Sequence, residues 1–245
     1  INLILLVLVN TSMEVISYKT KNYKSMKKKI KVAILILGLI FPISAKSQDS
    51  DFGNWLIYIG NKKLSQKWNL HNEVQYRNYN TIGDLEQLLL RVGLGYTFNE
   101  SKNNVLLGYG YILSENYLDN NTDKVSVNEH RIFQQFTSKQ KIGIVSLNHR
   151  YRFEQRFVQS DFKMRLRYFL GLNIPLTKKE NNKLYFSAYN EIFLNTEPAV
   201  FDRNRLYGGI GYRINKNIRL EAGYMNQFFE KNSSDQINIV TFVNF

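Results

Sequence analysis

HRYRFEQRF, residues 149–157, is the stretch on which the reading of this chain turns. In an extended backbone successive side chains point to opposite faces. Arg150, Arg152, Glu154 and Arg156 then share one side, and His149, Tyr151, Phe153, Gln155 and Phe157 the other. Such a segment suits a nucleic-acid-binding ribbon, an active site, or a wall with one wet and one apolar side. The rest of the chain has to choose.

The sequence has 245 residues, no Cys, three Pro, sixteen Tyr and sixteen Phe, a composition that suits one β-rich domain. Lack of Cys excludes a disulfide framework and any thiolate metal site. From Met26 the chain reads MKKKIKVAILILGLIFPISAKSQ: a basic start, an apolar run from Val32 to Ile43, and small residues at Ala45 and Ser47. This pattern predicts a secretory signal peptide over residues 26–47, cut ahead of Gln48. Its apolar run is about a dozen residues, short of the roughly 20 that cross a bilayer as a helix. Residues 1–25 read as an upstream or mis-started extension, and residues 48–245 as the folded domain. Eight Lys and one Glu in residues 1–47 supply +7 of the formal +13, leaving +6 for the exported part. The basicity is mostly leader, and export removes nucleic acid as a partner.

Beyond Gln48, period-2 alternation recurs almost without a break, and no segment carries a convincing 3.6-residue apolar period. It predicts strands near 54–60, 67–79, 86–98, 104–115, 127–138, 141–157, 162–176, 183–194, 203–214, 217–229 and 236–245. Most are long enough to cross a bilayer at a tilt. Tight polar turns (NKKLSQ, NESKNN, SKQK, TKKENN, INKN) alternate with looser segments (NYLDNNTDKVS, NTEPAVFD, EKNSSD). Short turns at one end and longer loops at the other suit an up-and-down membrane barrel. The fold class is therefore all-β, a transmembrane antiparallel barrel of 10–12 strands with both termini on the periplasmic side. Eleven segments are visible and bacterial single-chain barrels have an even number: either the first is accessory and ten close, or twelve do.

The alternation in MRLRYFLGLNIPL and LEAGYMNQF would suit a soluble sheet as well, with its apolar face inward. Export, aromatics crowding the strand ends and the closing strand INIVTFVNF favour lipid outside and charge inside. Glu73, Arg77, Glu129, Arg131, Arg150, Arg152, Glu154, Arg156, Arg165, Arg167, Arg205, Arg219 and Glu221 then line the lumen as a charged network. One Arg on lipid at mid-bilayer costs roughly 2–4 kcal/mol, so turning the four charges of 150–156 outward costs on the order of 10. The network is either internal pairing that fills the lumen or a surface that attracts a small anionic solute.

Catalysis finds little support. A lipid hydrolase needs a Ser beside a His, but Ser146 and His149 have opposite parity, and His71 and His130 have no serine partner. No histidine pair has a metal-ligand spacing; no catalytic residue, metal or cofactor is expected. The glycines of GLGYTF, GYGYIL and GGIGYR open no helix, and GGIGYR lacks the Lys-Ser/Thr of a phosphate loop, so they mark close packing. Strict alternation points His149 and Gln134 toward lipid, which a bulge or an interfacial position would relieve.

VNEHRIFQQ (127–135), LNHRYRFEQRF (147–157), MRLRYFLGLNIPL (164–176), FDRNRLYGGIGY (201–212) and LEAGYMNQF (220–228), with NW at 54–55, resemble an uncharacterised outer-membrane β-barrel family of Gram-negative bacteria, a domain of unknown function. The resemblance covers nearly all of residues 52–245 and implies a barrel in the outer membrane with no assigned activity. A final strand ending in Phe245 resembles the signal such barrels present to their insertion machinery. The expectation is a non-enzymatic narrow Arg-lined channel or binding scaffold in contact with outer-membrane lipids. The alternatives are an outer-membrane lipid- or lipopolysaccharide-modifying enzyme and a structural barrel with a plugged lumen.

Overall fold

A computed structural model describes residues 52–100, 102–118, 122–177 and 183–245. The leader and upstream extension expected in residues 1–47 lie outside the described residues. Eleven strands follow one another: β1 (Gly53–Lys63), β2 (Trp68–Asn78), β3 (Leu85–Phe98), β4 (Asn103–Tyr117), β5 (Lys124–Ile142), β6 (Val145–Val158), β7 (Asp161–Pro175), β8 (Leu184–Asn195), β9 (Phe201–Arg213), β10 (Ile218–Phe228) and β11 (Ser233–Asn244). Each pairs antiparallel with its sequence neighbour, and β1 pairs with β11 to close the barrel. All eleven expected strands are present, with ends displaced by up to four residues. The largest displacement is at β5 and β6, where Gly143, with φ 61°, makes the turn. The polar SKQK segment, expected as that turn, instead extends the strand past it.

Closure is odd. β1 and β11 run parallel, from Gly53 opposite Gln236 to Asn61 opposite Asn244, so the first strand belongs to the wall and eleven close rather than ten or twelve. An odd count also overturns the expected placement of both termini on one side. β1 begins at one rim, with the loops 79–84 and 196–200, while β11 ends at the other, beside the turns 64–67 and 214–217. There Phe245 accepts a hydrogen bond from Lys63 N at 3.2 Å and donates one to Asn61 O at 3.0 Å. The expected division into short and long connections is not seen either: connections reach six residues at the β1-start rim and eight at the other.

The wall is inverted relative to a soluble barrel. Val74, Leu90, Leu107, Ile132, Leu166, Ile210, Leu220 and Ile239 face outward and are exposed. Inward, Trp55, Arg77, Leu89, Ile112, Phe133, Glu154, Arg167, Phe193, Tyr207, Met225 and Asn238, one from each strand, are at most 7% exposed. Every strand therefore contributes a buried side chain to the interior. Glycine makes this possible: a Cβ on Gly108 would overlap the Phe133 ring, and one on Gly211 would overlap Tyr185. Gly108 of GYGYIL and Gly211 of GGIGYR are thus sockets for inward aromatics, the close packing the sequence indicates.

Aromatic pairs gather at both rims. Phe52 packs with Tyr224, Tyr79 with Tyr117 and Phe157 with Phe162 at the β1-start rim; Trp68 packs with Tyr96 and Phe98 with Phe136 at the other. Lys124 bridges the first rim. It is paired with Asp84 and lies 4.5 Å from the Tyr117 ring centroid and 5.2 Å from that of Tyr79.

Candidate functional site: an arginine-lined lumen

Alternation places all thirteen expected lumen residues on the inner wall, and β6 supplies the hub. Glu154, fully buried, accepts from Arg165 at 2.8 Å and Arg167 at 2.7 Å, with Arg152 3.7 Å and Arg131 3.9 Å away. On neighbouring β5, Glu129 holds Arg131 and Arg156, the latter at 2.6 Å. Glu73 on β2 pairs with Arg91 at 2.7 Å and lies 3.4 Å from His71. Near the β11-end rim Glu221 accepts from Arg219 at 3.1 Å and from the Tyr185 hydroxyl at 2.7 Å. Charge-assisted pairs of this kind offset the desolvation of buried ions only when geometry and further hydrogen bonds are good.

Besides Arg203, paired to Asp202 at 3.0 Å, three acids and bases of this network lie outside those thirteen. Glu191 accepts from Arg150 at 2.8 Å and Arg167 at 2.7 Å, Asp202 from Arg165 at 2.6 Å, and Arg91 completes the pair with Glu73. Glu191 shares its face with Tyr185, Tyr189 and Phe193, and Arg91 stands among leucines, so neither strand shows a charged stripe. Strand parity, counted along β3 and β8, is the signal that would have found Arg91 and Glu191; Asp202 has the parity opposite to Arg203 and Arg205 and stands where the β8–β9 register shifts.

Two arginines of this network form no ion pair with a carboxylate among the described residues. Arg77 donates to Gln75 at 2.6 and 3.0 Å and to Gln87 at 2.7 Å. Arg205 donates through Nε to Gln227 at 2.7 Å, and both its Nη groups are without a hydrogen-bond partner among the described residues. Both stack on one indole: the Arg77 guanidinium lies 3.7 Å and that of Arg205 4.8 Å from the Trp55 ring centroid. Arg205 is also 4.6 Å from the Phe193 ring. The aromatics soften the desolvation of these cations without cancelling their charge.

These arginines belong to a cavity of about 210 Å³ inside the β1-start half of the barrel. Arg77, Arg91, Arg131, Arg156, Arg165, Arg167, Arg203 and Arg205 line it with a single carboxylate, Glu129. Asn116, exposed at the rim, is on its lip, while Leu89 and Phe193 are buried in its wall. Six of the eight guanidiniums form ion pairs, with five carboxylates: Glu73, Glu129, Glu154, Glu191 and Asp202. The cup is electropositive by composition.

The histidines do not join it. His130 and His149 point outward, with Nδ1 2.6 Å from the Tyr109 hydroxyl and 3.0 Å from that of Tyr168. Gln134, also outward, exchanges two amide hydrogen bonds with Gln155 at 3.3 and 3.4 Å. No register shift occurs between β5 and β6 at these positions. No bulge is present, and mutual pairing satisfies these polar groups on the apolar face. Just outside the barrel wall, partial burial tends to raise the Asp84 carboxyl, but the Lys124 ammonium and Tyr117 hydroxyl outweigh it and hold it below the usual carboxylate value. Burial, with the Glu86 and Asp84 carboxylates nearby, pushes the Tyr79 phenol up to about 12.

Comparison with known proteins places the chain among sequences without an assigned activity. It is 34% identical over 165 residues to an uncharacterized protein of Methylorubrum extorquens, covering 63% of this chain and 69% of that one. LpxR from Salmonella typhimurium is a similar solved structure at 10% identity and a TM-score of 0.41, covering 76% of this chain and 85% of the other. Residues 52–238, almost the whole barrel, match the family described as "Protein of unknown function (DUF2490)", and the chain belongs to it.

Proposed function

We propose that the chain is an integral outer-membrane β-barrel, without enzymatic activity, whose filled lumen serves as a binding scaffold rather than an open channel. The observation that carries this reading is the inversion of the wall: exposed aliphatic residues outside, buried charge inside. In water such an outer surface far exceeds the few hundred Å² of apolar patch that soluble monomers expose; lipid tails match it. The shortest strands have eleven residues, which rise roughly 28 Å at a tilt of about 40°. That suffices for an apolar band of about 25 Å. The leader expected over residues 26–47 and the amphipathic last strand β11 support the outer membrane as the address, its lipids as surroundings and the barrel-insertion machinery as a partner.

The buried layer contributed by every strand favours a scaffold over a channel, because conduction needs a continuous wet path. Two measurements on refolded protein test the reading. Heat-modifiable gel migration is expected, and migration unaffected by heating would remove the membrane barrel. In planar bilayers folded protein is expected to be electrically silent, and steady anion-selective conductance sensitive to Arg167→Ala would replace the scaffold with a pore.

A further inference from the structure

The cup at the β1-start rim has a charge excess that its own residues do not resolve. Eight guanidiniums converge on about 210 Å³, and of the acids that pair with them only Glu129 is in the lining. Arg77 and Arg205, 6% and 7% exposed, are held against the same indole with no carboxylate on either. A buried cation with no carboxylate within ion-pair distance is among the costlier features a fold can carry, and Arg205 is one even though Glu191 is opposite it across the β8–β9 pair. Arg205 turns four N–H donors, on its two Nη atoms, toward no acceptor among the described residues. The lining is donor-rich and acceptor-poor, which selects an anion with many acceptor oxygens.

We propose that this cup binds a phosphate or pyrophosphate group carried by a soluble molecule, with Arg77 and Arg205 as its principal ligands. Guanidinium forks match phosphate oxygens two at a time. A tetrahedral group with close to two negative charges uses several such forks at once, whereas a carboxylate offers two oxygens and one charge. The cavity holds several waters' volume at about 30 Å³ each, room for one or two phosphates. Its lip at Asn116 faces the aqueous rim, and the lipid-facing wall separates it from acyl chains, so the group arrives from solution. Arg203, partly exposed and paired to Asp202 at 3.0 Å, stands in the lining as a cation that an incoming anion can recruit. The inference rests on the scaffold reading but is tested separately from it.

The experiment uses the full barrel refolded in detergent, titrated with inorganic phosphate, pyrophosphate or chloride at matched ionic strength and followed by calorimetry and thermal unfolding. Phosphate and pyrophosphate are expected to bind and to raise the unfolding temperature, with chloride inert. The double variant Arg77→Gln/Arg205→Gln is expected to bind at least tenfold more weakly and to unfold no earlier than the parent in chloride, because it loses unpaired buried charge. Lys102→Gln, in an exposed turn, should bind like the parent. Equal responses to phosphate and chloride, or unchanged phosphate affinity in a folded double variant, would overturn the proposal. Barrels in nanodiscs of phosphatidylcholine with or without phosphatidic acid separate the source. A response to phosphatidic acid without one to free phosphate would overturn the soluble ligand. Should phosphate fail to bind while the bilayer stays silent, the site falls and the scaffold stands; conductance would remove the scaffold itself.

Discussion

Glu154 and Arg167 meet at 2.7 Å across the β6–β7 pair, and the carboxylate is wholly buried. Because Arg165 holds the other oxygen at 2.8 Å, one acid bridges two guanidiniums and faces two more, Arg152 and Arg131, at 3.7 and 3.9 Å. Glu154→Gln keeps the shape and removes the charge. Breaking a buried pair from one side costs about 3–5 kcal/mol because the partner is left uncompensated. Arg167 keeps Glu191 and Arg165 keeps Asp202, so the expected loss is about 3 kcal/mol at the lower end. Reversible urea unfolding in lipid vesicles measures it. Glu221→Gln, whose partner Arg219 is near a rim and half-solvated, is expected to cost clearly less; equal losses would mean that Glu154 is not the hub.

Odd closure makes a topological prediction. The chain lacks Cys, so single cysteines report cleanly on sidedness. Phe52→Cys and Ile82→Cys are both at the β1-start rim, whereas Lys216→Cys lies in the turn beside the end of β11. In oriented membranes a maleimide that cannot cross lipid should label positions 52 and 82 from one side and 216 from the other. An even-stranded barrel would put 52 with 216, and that labelling pattern would reject the parallel β1–β11 seam.

How much of this was readable beforehand follows from the range of the signals. Alternation is local, so residues such as Arg165 and Arg167 against Leu166 and Tyr168 show their faces without any knowledge of neighbours, and the eleven strands follow. The seam between Gly53–Asn61 and Gln236–Asn244 is a pairing across the whole chain, and nothing near either strand encodes that it is parallel. Partner choice is similarly non-local. That Arg150 goes to Glu191, and that Arg77 and Arg205 share Trp55, depends on which side chains reach across the lumen. The turn at Gly143 was hidden for a different reason: rim strands extend beyond the apolar band, where Lys139 and Lys141 are as much at home in a strand as in a loop.

The outward amides give a double-mutant test of the lipid-facing wall. Gln134 and Gln155 satisfy each other at 3.3–3.4 Å on a face otherwise rich in aliphatic side chains. Removing one alone leaves a stranded amide, expected to cost about 1–3 kcal/mol. Replacing both by Leu exchanges a weak polar pair for apolar surface and should be neutral or stabilising in lipid. A coupling of about 1–2 kcal/mol between Gln134→Leu and Gln155→Leu is therefore expected from vesicle unfolding. Additive losses would mean that these side chains meet water, and would argue against bilayer outside β5 and β6.

The rim latch carries the pH dependence. Asp84 is held below the ordinary carboxylate value by Lys124 and Tyr117. A group whose folded pKa is depressed stabilises above its unfolded pKa and loses that contribution as pH falls through the folded value. The latch is thus complete at neutral pH and releases only at acid pH, below the range where free aspartate titrates. Amide exchange in the loop 79–84 and at the start of β5 should be slow at pH 7 and should quicken at acid pH more than the intrinsic exchange rate explains. Asp84→Asn should abolish that extra step and leave the loop open throughout. Because the latch is at the lip side of the barrel, the same variant should leave the unfolding of the Glu154 network unchanged; a loss of stability comparable with that of Glu154→Gln would show that rim and lumen do not separate.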